Sequence, residues 1–169
     1  MSLSAEQRKL IWDSMLDAEI HYHYFGHLAE RYSRRERWLA WMLGVFSSGT
    51  VASTFANSKW VASGLGLLVA ILSITQGTFK FGKAAELSAS LQRRWGGALA
   101  GLRKLWALVE GAQIESAAAM EEWSRQMELV GGLDEQASWQ LQSDNKLLDT
   151  SYDEVMQVRR LVAPQGVPA

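Results

Sequence analysis

The stretch Trp38 to Phe55 reads WLAWMLGVFSSGTVASTF, and five residues later Val61 to Phe79 reads VASGLGLLVAILSITQGTF. Neither contains an ionisable side chain, and at 18 and 19 residues each has the roughly 17 to 25 that a helix needs to cross the hydrocarbon core of a bilayer. The connector Ala56-Asn57-Ser58-Lys59-Trp60 permits only an antiparallel hairpin. The expected fold class is therefore an all-α membrane protein, with a two-helix transmembrane hairpin and long N-terminal and C-terminal cytoplasmic helices.

Charge orients the hairpin, because cytoplasmic flanks of spanning helices collect Lys and Arg. Arg31, Arg34, Arg35 and Arg37 precede the first stretch, Lys80 and Lys83 follow the second, and the connector carries Lys59 alone. Both termini are expected in the cytoplasm. Trp38, Trp41 and Trp60 fall at the expected lipid-water boundaries, where an indole buries its ring and keeps its N–H wet. A soluble bundle with two buried central helices is the competing fold, but a chain of 169 residues has little other apolar material with which to cover them.

Residues 1 to 109 hold 13 Lys or Arg against 7 Asp or Glu, whereas residues 110 to 169 hold 4 against 11, so the membrane-proximal half is basic and the distal half acidic. Such a split suits anionic lipid head groups or an anionic ligand near the membrane. There are no cysteines, which excludes disulfides, thiolate metal sites and a cysteine nucleophile. Met1 to Leu10 is polar and charged, so no cleaved secretory peptide is expected.

Outside the hairpin the chain reads as helix, and strand signals are absent. From Ser4 to Arg37 the apolar positions Leu10, Ile11, Met15, Ile20, Tyr24 and Leu28 predict one amphipathic helix that runs into the first span. After the second span, Leu87, Leu91, Trp95, Leu99, Leu102, Trp106 and Val109 repeat similarly, and Met120, Trp123 and Met127 carry the stripe towards Gly131-Gly132. A helix from Phe81 to Val130 would extend roughly 75 Å. Gly96-Gly97, Gly101 and Gly111 allow close packing or a kink. Gly131-Gly132 is expected as the break, and a last helix as starting near Thr150-Ser151, where Ser151 and Glu154 have the spacing of a capping box. It ends before Pro164, with a disordered tail Gln165 to Ala169. The expected organisation is an N-terminal helix over 1–37, the hairpin over 38–79, a helical stalk over 80–130 and an acidic helical segment with its tail over 131–169.

On a helical wheel Ser63, Gly66, Ala70, Ser73, Gln76, Gly77 and Lys80 fall within an arc of about 140°, while Leu65, Leu67, Leu68, Ile71, Leu72 and Phe79 fill the rest. The first span carries a weaker version with Ala40, Gly44, Ser47, Thr50, Val51 and Thr54. Helix packing alone accounts for Gly66, Ala70 and Gly77. Gln76 needs a partner or water. Two spans cannot enclose an aqueous path, so a pore requires several copies, lined by Ser73, Gln76 and Lys80 with Ser47 and Thr54.

No phosphate-binding loop, nucleophile elbow or H-E-x-x-H motif is present, and an enzyme is not expected; nor is any cofactor. His23 and His27, four apart, can share a face and in principle hold a metal. His21 lies on another face and no adjacent acidic motif completes a site, so the histidines read as interfacial hydrogen-bonding groups and no metal site is expected. Arg93, Arg94, Arg103 and Lys104 form a basic cluster suited to phosphate oxygens, with helix salt bridges and lipid contacts as the plainer explanation.

The run Ala18-Glu19-Ile20-His21-Tyr22-His23-Tyr24, the basic stretch Arg31 to Arg37, the tight hairpin and the continuation Phe79-Lys80-Phe81-Gly82-Lys83 together resemble the SLATT family over about residues 5 to 130. That family comprises two-transmembrane effector domains associated with bacterial nucleotide signalling. The resemblance implies an antiphage, abortive-infection effector of the bacterial inner membrane that assembles as a homo-oligomer. It implies ion conduction and depolarisation in response to a nucleotide or oligonucleotide made by a partner nucleotidyltransferase. It supplies no catalytic residues, no duplex DNA binding is expected, and the acidic segment after Gly131 departs from a plain family domain. The alternatives are a non-conducting two-span scaffold that recruits a cytoplasmic partner and a soluble helical adaptor.

Overall fold

The computed structural model describes the fold of residues 3–47, 64, 67, 69–71, 73–75, 80–141 and 144–162. Helix α1 spans Ala5–Ser47, α2 Phe81–Glu110, α3 Ser116–Gln140 and α4 Asn145–Val162, and among the described residues there is no strand. Most of the two apolar stretches, including the connector 56–60, lies outside the described residues, as does the tail 165–169. Among the described residues no helix is long and apolar enough to cross a membrane.

Contacts divide the chain into one unit of Met1–Leu28 with Ser88–Ala169 and another of Ala29–Leu87. In the first, α1 begins with a reciprocal cap. The Gln7 N–H donates to Ser4 Oγ at 3.2 Å, and the Ser4 N–H donates to Gln7 Oε1 at 2.9 Å, so two backbone donors that a helix start leaves open are satisfied together. Ile11, Met15, Ala18, Phe25 and Leu28 of α1 are buried at helical spacing. They meet the α2 stripe Leu91, Trp95, Leu99, Leu102, Leu105 and Val109, also buried. Each such side chain contributes roughly 1.5–3 kcal/mol on leaving water, and this seam outweighs any single polar contact. Leu10, expected on the buried stripe, is 40% exposed; it neighbours Ile11, and adjacent helical positions point about 100° apart.

The α1–α2 pairing is antiparallel and close. A Cβ built on Gly96 would lie 3.2 Å from Tyr22 Cε2, so hydrogen at this position is what lets the Tyr22 ring lie against the α2 backbone. Ala119 of α3 closes a cluster with Ile11, Leu105 and Val109, flanked by half-buried Trp106, Ile114 and Trp123. Ser151 and Val155 of α4 are likewise buried. In the second unit, Tyr32 lies 6.3 Å from Phe81 between ring centroids, the Glu36 carboxylate rests over Gly82, and Leu39 and Ala85 are buried.

Three expected boundaries are corrected. The helix expected from Phe81 to Val130, with a kink allowed at Gly111, ends at Glu110, where the Gln113 N–H bonds to Leu108 O at 2.9 Å and the Ala112 N–H to Val109 O at 3.2 Å. This paired pattern terminates helices with a left-handed residue at its centre, and Ala112 takes it with φ 50°. Conversely, α3 runs through Gly131-Gly132. Two glycines cost a helix about 1 kcal/mol each, and burial of the neighbouring Val130 and Leu133 offsets that. Finally, α4 starts six residues before Ser151, at Asn145. Asp144 is its cap, accepting the Leu147 N–H on Oδ1 at 3.2 Å, and Ser151 Oγ instead donates to Leu147 O at 3.0 Å within the helix.

These placements set the sign of three substitutions, one towards glycine and two away from it. Ala112→Gly removes the left-handed strain and raises stability by about 1 kcal/mol. Gly131→Ala and Gly132→Ala, whose added methyls meet nothing within 4 Å, raise it by roughly 0.5–1 kcal/mol each. Denaturant unfolding followed by far-UV circular dichroism measures all three; a loss of stability on Gly131→Ala would place a turn there after all.

Candidate functional site

Polar chemistry in the unit built from Met1–Leu28 and Ser88–Ala169 gathers on the two sides of α1 that α2 and α4 cover. Glu19 stands among apolar neighbours with its side chain only 9% exposed. A carboxylate so placed needs compensation, and two helices supply it. Arg103 Nη2 of α2 donates to Oε1 at 2.6 Å, while Arg159 of α4 donates to Oε2 from Nε at 3.0 Å and Nη2 at 2.6 Å. The Arg159 guanidinium also lies 5.1 Å over the Trp12 ring, which in turn meets Trp106 at 5.1 Å. Met15, Glu19, Arg103, Trp106, Val158 and Arg159 line one open groove.

One turn further along, the histidines take different roles. His21 stacks on Trp95, with centroids 4.5 Å apart and planes 12° from parallel, and its Nδ1 lies 3.0 Å from the Asp17 carbonyl. His27 Nε2 is 2.9 Å from Glu154 Oε2 of α4. His23, His27 and Glu154 place one ligand atom each within 4.8 Å of one another. Near them the Asp144 N–H donates to the Tyr24 hydroxyl at 3.2 Å, so α4 is tied to α1 at its capped start as well as along its length.

The four basic residues expected to form a phosphate site are not one cluster. Arg93, Arg94 and Lys104 are exposed on α2, but Arg103 is committed to Glu19, and eleven residues separate Arg93 from Lys104, roughly 16 Å along a helix axis. Arg103 Nη2 already meets the Glu19 carboxylate at 2.6 Å, so an anion reaching this half-exposed guanidinium would share it with Glu19. Of the expected pore-lining residues, Ser73 and Lys80 are exposed and Ser47 closes α1. Gln76 and Thr54 lie outside the described residues.

Sequence reasoning missed both the Glu19 clamp and the approach of Glu154 to the histidines. A carboxylate inside the apolar run around Ala18 to Ile20 was the available sign of the first. The second depends on α4 packing against α1, which has no local signature. Comparison with protein-family models, curated proteins and solved structures finds no match to this chain. The likeness to SLATT proteins therefore stands on the residues quoted for it alone.

Removing the shared acceptor orphans two cations, whereas removing the more exposed cation leaves the second in place. Glu19→Ala is expected to cost roughly 2–4 kcal/mol. Arg103→Ala, at a side chain 53% exposed, costs about 1 kcal/mol or less. Equilibrium unfolding read by tryptophan fluorescence separates the two; equal small losses would show that the clamp contributes little.

Proposed function

We propose that this chain is a two-span membrane effector that assembles as a homo-oligomer and conducts ions. The observation that carries the reading is a set of large apolar side chains that stand exposed in the unit Ala29–Leu87. Leu67, Ile71 and Ile74 are 65, 54 and 67% exposed, and Trp38 and Trp41 are 56 and 63% exposed. Spacings of four and three put Leu67, Ile71 and Ile74 on one stripe. A contiguous apolar stripe of this kind marks a surface for lipid or protein.

About 100–160° further round the helix from that stripe, Ser73 is exposed too. Its character is different: small and polar, suited to close contact with another helix and to water. Lipid on the Leu67–Ile71 side and further copies of the chain on the Ser73 side satisfy both. The Thr75 hydroxyl donates to Ile71 O at 2.8 Å, the way a hydroxyl is satisfied inside an apolar helix without an outside partner. In this reading Ser73, Gln76 and Lys80, with Ser47 and Thr54, line the conduction path.

The inner-membrane location, the antiphage role and the nucleotide-type signal come from the likeness to SLATT proteins. Arg93, Arg94 and Lys104, exposed on α2, would meet an anionic signal, while Arg103 is engaged by Glu19 through Nη2. The test joins fractionation to flux. Alkaline extraction of membranes leaves the chain in the pellet, and the purified chain in liposomes dissipates an imposed potassium diffusion potential. Gln76→Leu lowers that flux at least several-fold without changing insertion. Recovery in the alkaline supernatant would overturn the spans; retention without flux under any nucleotide condition would overturn the pore and leave a scaffold.

A further inference from the structure

We propose that His23, His27 and Glu154 bind a divalent transition-metal ion of the zinc class, bridging α1 and α4. The proposal is independent of ion conduction and rests on the helical unit alone. His23 and His27 are one turn apart on α1, which places both imidazoles on a single face. Glu154 comes from α4, where the adjacent Val155 and the preceding turn's Ser151 are 2% and 0% exposed. Those buried neighbours hold the register of α4, and Glu154, with its side chain 45% exposed, lies beside His27 at 2.9 Å.

The three ligand atoms lie within 4.8 Å of one another. Bonds of 2.0–2.2 Å in a tetrahedral site need about 3.4 Å between ligand atoms. His27 Nε2 and Glu154 Oε2, at 2.9 Å, are already closer than that, and the remaining separations close by rotation of side chains that are half-buried or exposed. Metal entry replaces the hydrogen bond between His27 and Glu154. A proton on Nε2 of His27 leaves to solvent, or moves to Nδ1 when the ring is neutral, and Nε2 then offers its lone pair.

Ligand chemistry selects the ion. Two imidazoles and one carboxylate suit zinc, cobalt, nickel or copper and disfavour magnesium and calcium, which take oxygen ligands. Three protein ligands leave a fourth position open to water. The chain has three histidines and no cysteine, so few competing ligands exist and each assignment can be made by a single substitution. A metal here would pin α4 to α1 some distance from the Glu19 clamp, giving the C-terminal helix a second and reversible attachment. Sequence spacing offered only His23 and His27 as a pair on one face, and the third ligand arrives from 127 residues away.

Full-length protein, prepared without a histidine tag, is titrated with Zn²⁺ by calorimetry and with Co²⁺ by visible absorption. The expected result is one ion per chain, a cobalt spectrum of low coordination number, and a rise in melting temperature with added Zn²⁺ by mass action. His23→Ala, His27→Ala and Glu154→Ala each weaken binding at least tenfold, while His21→Ala, which removes the ring stacked on Trp95, leaves affinity for Zn²⁺ within about twofold. His23→Ala is the decisive variant, since it leaves the pairing of His27 with Glu154 intact. Absence of stoichiometric binding, or binding unchanged by His23→Ala and Glu154→Ala in protein that retains its helical circular dichroism, would overturn the proposal and leave the group as an ordinary ion pair.

Discussion

A carboxylate taken out of water must find cations, and Glu19 draws them from two helices at once. Arg103 and Arg159 lie 84 and 140 residues away in sequence, so closing this one contact requires α2 and α4 to be seated on α1 together. The apolar seam between α1 and α2 supplies most of the free energy, yet a seam of leucines tolerates sliding by a turn. The clamp does not. Its three short hydrogen bonds accept a single register, and Trp12 extends the same arrangement by covering the face of Arg159 and meeting Trp106.

The register so set explains the rest of the polar pattern in that unit. With Glu19 opposite Arg159, the helical repeat carries Glu154 to His27, and it brings the capped start of α4 to the Tyr24 hydroxyl. Trp123 of α3 donates to Ser14 Oγ at 3.0 Å, and Ser116 Oγ lies 3.3 Å from Gln7 Oε1, which fixes α3 along the opposite end of α1. Apolar burial brings the helices together and a small number of directional contacts chooses among the ways they could meet.

The apolar stripes of α1 and α2 were legible because 3.6-residue periodicity is a property of the chain itself: Ile11, Met15, Leu91, Trp95 and Leu102 are buried as their spacing indicates. Breaks were less legible. Glycine pairs lower helix stability by an amount that packing readily offsets, as at Gly131-Gly132, while α2 stops at Glu110, before Gly111 and the left-handed Ala112, because the backbone pattern at Leu108 and Val109 closes there. Ser151 and Glu154 had the spacing of a cap, but Asp144 offered a cap about two turns earlier. Glu154 took its place beside His27 through tertiary packing, which no local pattern announces. The proposed pore-lining set rests on a helical wheel, and Gln76 and Thr54 of it lie outside the described residues.

The central claim concerns the unit Ala29–Leu87, where Leu67, Ile71 and Ile74 stand uncovered and lipid is the neighbour that suits them. A chain without cysteine makes the measurement direct. Single cysteines at Lys59, Ile71 and Lys146 are labelled in intact and permeabilised bacteria with a membrane-impermeant maleimide. Labelling of Lys59→Cys from outside, of Lys146→Cys only after permeabilisation, and of Ile71→Cys in neither case is the result that two spans with cytoplasmic termini predict. Free labelling of Ile71→Cys, or equal exposure of Lys59→Cys and Lys146→Cys on the same side, would contradict it.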